Sequence, residues 1–67
     1  MNLVVNGESR TVREGASIAD LVRELGLVAD GSGIAVALNG EVVPRSEWIT
    51  ALGERDRVEI LTAVQGG

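Results

Sequence analysis

At 67 residues the chain can build one small core, and 45% hydrophobic residues is too many for an ordinary disordered segment. It contains no cysteine and no histidine, which excludes disulfides, a thiol nucleophile, zinc-thiolate sites and the usual general base at neutral pH. The net charge of -4, basic residues that are all arginine and a single aromatic residue, Trp48, argue against nucleic acid as a partner, because nucleic-acid binders use basic patches and stacking platforms.

Solubility is reason enough for the acidic balance. No apolar run approaches membrane-spanning length, and Met1-Asn2-Leu3 lacks the basic region of a secretory signal. No membrane partner is expected, and a cytoplasmic location is the default.

Residues 1–5 alternate weakly, with Leu3 and Val5 on one face and Asn2 and Val4 on the other. Asn6-Gly7 follows, a strong signal for a type I′ hairpin, in which both central residues need positive φ. Residues 9–13 make the returning strand, short and polar as suits a sheet edge.

Ser17 is a good helix N-cap, and Asp20 three residues later approximates a capping box. Ile18, Leu21, Val22 and Leu25 then fall on one apolar stripe. Gly26 is placed for the left-handed position after the helix, with Leu27 as the hydrophobic residue that closes such a stop. Asp20, Arg23 and Glu24 read as a solvated face rather than as catalytic carboxylates.

Asp30-Gly31-Ser32-Gly33 is a loop, since a phosphate cradle needs a lysine and a following helix, and neither is present. Residues 34–38 are a nearly continuous apolar strand, and Asn39-Gly40 turns it into Glu41-Val42-Val43 as a second hairpin. Pro44 ends that strand because it cannot donate a ladder hydrogen bond. A single helical turn is expected over residues 46–49, with Trp48 and Ile49 covering one end of the core.

Gly53-Glu54-Arg55-Asp56 is a charged turn with no supporting metal ligands, and residues 57–64 are the last strand. Val58, Ile60, Thr62 and Val64 alternate there with Glu59, Leu61 and Ala63. With Val58 and Ile60 facing the helix, Leu61 and Ala63 look out of the opposite face, near Val4 if the first and last strands are neighbours. A contiguous apolar patch there suggests docking. Together the elements predict a two-layer α+β domain, one amphipathic helix on a mostly antiparallel sheet.

The apolar run ends in Gln65, Gly66 and Gly67. Two glycines order at the greatest backbone entropy cost and bury no side chain, so a mobile tail is expected. A chain without Cβ atoms can thread a groove that excludes other residues. The carboxylate of Gly67 is therefore the candidate working group, and the rest of the protein is a handle for it.

The stretch Leu38-Asn39-Gly40-Glu41-Val42-Val43-Pro44-Arg45-Ser46-Glu47-Trp48, with Asp56-Arg57-Val58-Glu59-Ile60 and the Gly-Gly end, resembles the ThiS family. These are the sulfur carriers of thiamin thiazole synthesis. The resemblance covers essentially the whole chain and implies a ubiquitin-like β-grasp fold, a mixed four- to five-stranded sheet packed on one main helix. It divides the chain into a domain at 1–64 and a flexible tail at 65–67.

It further implies a carrier and not an enzyme, without a cofactor or metal of its own. A ThiF-like activating enzyme (an adenylyltransferase) would use ATP to adenylate Gly67, and sulfur originating from a cysteine desulfurase would convert it to a thiocarboxylate. A ThiG-like thiazole synthase would accept that sulfur. Gln65, Gly66 and Gly67 would thread the activating enzyme, while Leu61, Ala63 and Val64 would help to dock the body.

Related readings stay open on the residues alone. A carrier of the molybdopterin-synthase small-subunit type, or one serving tRNA thiolation or protein conjugation, would use the same terminus. A β-grasp binding module with an inert tail would not use it at all.

Overall fold

The structure, a computed structural model, describes residues 1–27 and 33–62. Asn2–Val5 (β1) and Glu8–Thr11 (β2) form the first antiparallel hairpin. Its turn residues, Asn6 and Gly7, have φ of 50° and 82°, the two positive values that a type I′ turn requires. Ile34–Leu38 (β3) and Glu41–Val42 (β4) form the second hairpin, with Asn39 and Gly40 at 50° and 90°. The two Asn-Gly signals thus act through the same backbone geometry.

Helix α1, Ile18–Glu24, begins at Ser17, whose hydroxyl accepts from the Asp20 amide at 3.1 Å while the Asp20 carboxylate accepts from the Ser17 amide at 3.0 Å. That reciprocal pair is the expected capping box. The Ser17 backbone N–H, more than Arg13 or Arg23, holds the Asp20 carboxyl below its ordinary value, because it stabilises the charged form. At the other end Gly26 takes φ of 76° and donates to the Arg23 carbonyl, while Leu27 donates to Val22. These two bonds are a Schellman stop, and the half-buried Leu27 packs against the core beside it.

The last strand, Arg57–Thr62 (β5), enters the middle of the sheet, giving the order β2-β1-β5-β3-β4. It runs parallel to β1, with Val5 opposite Val58, and antiparallel to β3, with Val36 opposite Ile60. A mixed five-stranded sheet results, covered on one face by α1. Leu3, Val5, Val36, Val58 and Ile60 project from the sheet into a core completed by Ile18, Leu21 and Val22 of the helix. Alternation in the strands and the apolar stripe of the helix therefore meet at one interface.

Three expectations are corrected. Trp48 is buried at 4% exposure, but Ile49 is 83% exposed and covers nothing. The expected helical turn is a 3₁₀ turn, Arg45–Glu47, one residue earlier than predicted, and the residues following it cannot both face inward. The larger indole takes the core, donating from Nε1 to the Val43 carbonyl at 3.2 Å, with the Arg45 guanidinium 5.1 Å from the ring centre.

Leu52, not Ile49, fills the neighbouring core position, drawn in by its N–H to the Ala16 carbonyl at 2.8 Å. The second correction is at the sheet edge, where β2 stops at Thr11 and Val12 turns into the core. The third concerns Val4, which pairs with Arg57 rather than lying beside Leu61. Four residue-to-residue steps along the strand take Arg57 to Leu61, roughly 13 Å.

Candidate functional site

The site follows from what β5 shows to each side. Val58 and Ile60 are buried under the helix, while the intervening Glu59 and Leu61 face away from it. Leu61 is 70% exposed, a large apolar side chain set on the open sheet face. Directly across on β3 lies Ala35, also exposed, and a shallow groove lined by Gly33, Ile34, Ala35, Leu61 and Thr62 runs along this end of the sheet. The small Ala35 leaves the Leu61 side chain uncovered.

Farther along the same face the character changes. Arg57 and Glu59 occupy β5 beside Val4 and Ala37, so apolar surface alternates with charge there. On the edge strand Val42 is exposed opposite Ala37. Of the apolar patch expected from Leu61 and Ala63 near Val4, the described residues show Leu61 exposed on the open face, with Ala35 of β3 and not Val4 of β1 beside it. Of the predicted docking residues, Leu61 is on this face; Ala63 and Val64 lie outside the described residues, as do Gln65, Gly66 and Gly67.

Reading the sequence missed a second feature, the grip on β5 from both turns. The Asn6 backbone donates to the Val58 carbonyl at 2.9 Å, and its side chain then accepts from the Ile60 N–H at 2.7 Å and donates to the Ile60 carbonyl at 3.2 Å. On the other flank, the Asn39 N–H donates to the Arg57 carbonyl at 2.7 Å and its side chain accepts from the Arg57 N–H at 2.9 Å. Asn39 also donates to Asp56 at 3.1 Å, and Asp56 in turn accepts from Gly53, closing the turn ahead of β5. The signal was present in the sequence: both turns carry asparagine where glycine or aspartate would also serve the backbone.

No group of His, Cys, Asp or Glu among the described residues could hold a metal ion. No helix among them is long and apolar enough to cross a membrane. What the described residues offer is a central strand, hydrogen-bonded on both flanks, whose accessible side turns from charged at Arg57 and Glu59 to apolar at Leu61, two residues before position 63.

Comparison with known proteins decides which family uses this arrangement. The ThiS family model matches residues 3–67, nearly the whole chain. The chain belongs to the ThiS family. Its fold is accordingly the ubiquitin-like β-grasp, and the domain is a sulfur carrier of the thiamin-biosynthesis type.

Among solved structures, the chain is similar to the crystal structure of the thiamine biosynthesis protein ThiS from Geobacter metallireducens, with 38% identity, a TM-score of 0.79 and full coverage of both chains. It is also similar to a solution structure of a thiamine biosynthesis protein from the same organism, with 36% identity and a TM-score of 0.83, covering all of this chain and 88% of the other. A curated relative from Paramagnetospirillum magneticum, named thiazole synthase, is 37% identical over 68 residues. All of this chain takes part in that match, but it spans only 20% of the relative's length.

Proposed function

We propose that the group this ThiS-family carrier presents is the carboxylate of Gly67, loaded with sulfur by an activating enzyme and unloaded on a thiazole synthase. A carboxylate is anionic and a poor electrophile at neutral pH. Attack of its oxygen on the α-phosphorus of ATP forms an acyl adenylate and releases pyrophosphate. The outer sulfur of a protein persulfide, formed with sulfur from a cysteine desulfurase, then displaces AMP to give an acyl disulfide. A thiol attacks the persulfide-bearing protein's own sulfur, forming a disulfide and releasing the terminal thiocarboxylate. The activating enzyme is of the ThiF-like adenylyltransferase class.

The observation that carries this reading is the family match through residues 66 and 67, which follow in sequence a strand whose outer side chain, Leu61, is uncovered. Gly66 and Gly67 suit a narrow channel because neither has a Cβ to collide with its walls. Gln65 and Val64 would line the approach, and Leu61 with Ala63 would seat the body on the enzyme. A thiazole synthase is favoured as acceptor because a relative bearing that name contains a segment similar to the entire chain.

Intact mass spectrometry after incubation with ATP, the activating enzyme and a sulfur source tests the reading. Exchange of one oxygen for one sulfur, localised to Gly67, is expected. Appending one residue after Gly67, or replacing Gly66 with valine, should abolish the exchange while the domain still folds. Sulfur loading at full rate in either variant would overturn the proposal.

A further inference from the structure

We infer that Asn6 is a positioning residue for sulfur loading, its amide completing the sheet where β1 stops and holding the outgoing end of β5 in register. The inference rests on the proposed carrier role. Its ground is the way the β1–β5 ladder ends. Val4 donates to the Asp56 carbonyl at 3.0 Å and Asn6 to the Val58 carbonyl at 2.9 Å, successive rungs of a parallel ladder. Continuing the ladder would need a backbone acceptor for the Ile60 N–H and a backbone donor for its carbonyl, but the chain has already turned away at Gly7.

The Asn6 side chain supplies that rung instead. One amide carries both a donor and an acceptor, so it satisfies the Ile60 carbonyl and the Ile60 N–H together, at 3.2 and 2.7 Å. Glycine would give the same turn without either bond, and aspartate would supply only an acceptor. On this flank of β5, the Asn6 amide is the last hydrogen-bonding hold among the described residues before Leu61 and Thr62, while β3 continues on the other flank to Ile34 opposite Thr62. Loss of the amide would let β5 peel from β1 and swing Leu61, turning a preset docking face into one that must be ordered on binding.

Asn39 is the internal control. It uses the same device on the opposite flank, but at Arg57, the start of the strand and away from Leu61. Its loss should loosen that end without moving the docking face.

The test uses the full chain with Asn6→Gly, which tolerates the positive φ and removes only the amide, with Asn6→Asp and Asn39→Gly beside it. Amide hydrogen exchange is followed at Ile60 and at Leu21, whose N–H bonds to Ser17 inside the helix. In Asn6→Gly the Ile60 amide should exchange at least roughly tenfold faster relative to Leu21, a ratio that general destabilisation would leave unchanged. The KM for the carrier in ATP-dependent adenylation should rise roughly tenfold with kcat retained, as expected for two lost hydrogen bonds.

Asn6→Asp should keep part of the Ile60 N–H protection and show an intermediate KM, and Asn39→Gly should leave both readouts at Ile60 and in KM near wild type. Equal acceleration at Ile60 and Leu21, or faster exchange at Ile60 with unchanged KM, would overturn the positioning role. A wild-type chain that is never adenylated would instead defeat the carrier reading, while the exchange ratio would still decide whether the amide holds the strand.

Discussion

Along β5, Val58 and Ile60 point into the core while Glu59 and Leu61, one residue away in each case, meet solvent. The same backbone supports both sets. On the covered side every large side chain packs against α1, β1 or β3, and on the open side Leu61 has only the small Ala35 opposite. Stability and recognition are therefore separated by strand periodicity alone. A change on one side should leave the other nearly untouched.

Two alanine substitutions in adjacent positions give the sharpest contrast. Ile60→Ala removes a buried side chain and leaves a cavity beneath the helix, so a loss of about 3 kcal/mol is expected in urea unfolding. Leu61→Ala should stay within about 0.5 kcal/mol of wild type, because its side chain is already in water. Comparable losses at both positions would mean that the open face is covered in the free protein. Leu61→Glu comes next in size: affinity for the activating enzyme should fall roughly tenfold, about 1.4 kcal/mol, with the unfolding midpoint held. Titration of the two proteins by calorimetry reads this directly, and unchanged affinity would remove Leu61 from the docking face.

Much of this division was legible in the sequence, because its determinants are local. Asn-Gly pairs demand positive φ, Ser17 and Asp20 are three residues apart, and the alternation in residues 57–62 assigns each side chain to a face. What was not legible depends on register and on competition for space. The offset that puts Val4 against Arg57 and Ala35 against Leu61 is set by how the strands meet, which no periodicity within one strand encodes. Trp48 and Ile49 are both apolar, and only the geometry after the 3₁₀ turn decides that Trp48 enters the core. The second use of Asn6 and Asn39 was hidden for a similar reason: a turn residue and a ladder substitute look alike until β5 is seen between them.

The helix that covers the buried face offers a milder perturbation. Ser17→Ala removes the hydroxyl that caps the Asp20 amide and should cost about 1 kcal/mol. Because the cap lies on the covered side, binding through Leu61 should be unaffected once the protein is folded. Weakened docking in a folded Ser17→Ala protein would show that the two sides of the sheet are coupled.

The smallest effect expected is the pH dependence of that cap. The Asp20 carboxyl titrates below its ordinary value of 3.8, chiefly through the Ser17 backbone N–H, with further help from the Ser17 hydroxyl and smaller effects of Arg13 and Arg23. A group with a depressed folded-state value stabilises the fold above its unfolded-state value, and that contribution disappears as pH falls through the folded-state value. Wild type should therefore exceed Asp20→Asn in stability at pH 7. The gap should begin to narrow below about pH 4, where the unfolded chain's carboxyl takes up its proton, and close as pH falls through the lower folded-state value. Added salt should narrow the gap only slightly, since it screens the exposed arginines more than a backbone hydrogen bond. A gap that stayed constant from pH 7 to pH 3 would show that the carboxylate's charge contributes nothing to the cap. A gap that vanished in salt at pH 7 would move its origin from Ser17 to Arg13 and Arg23.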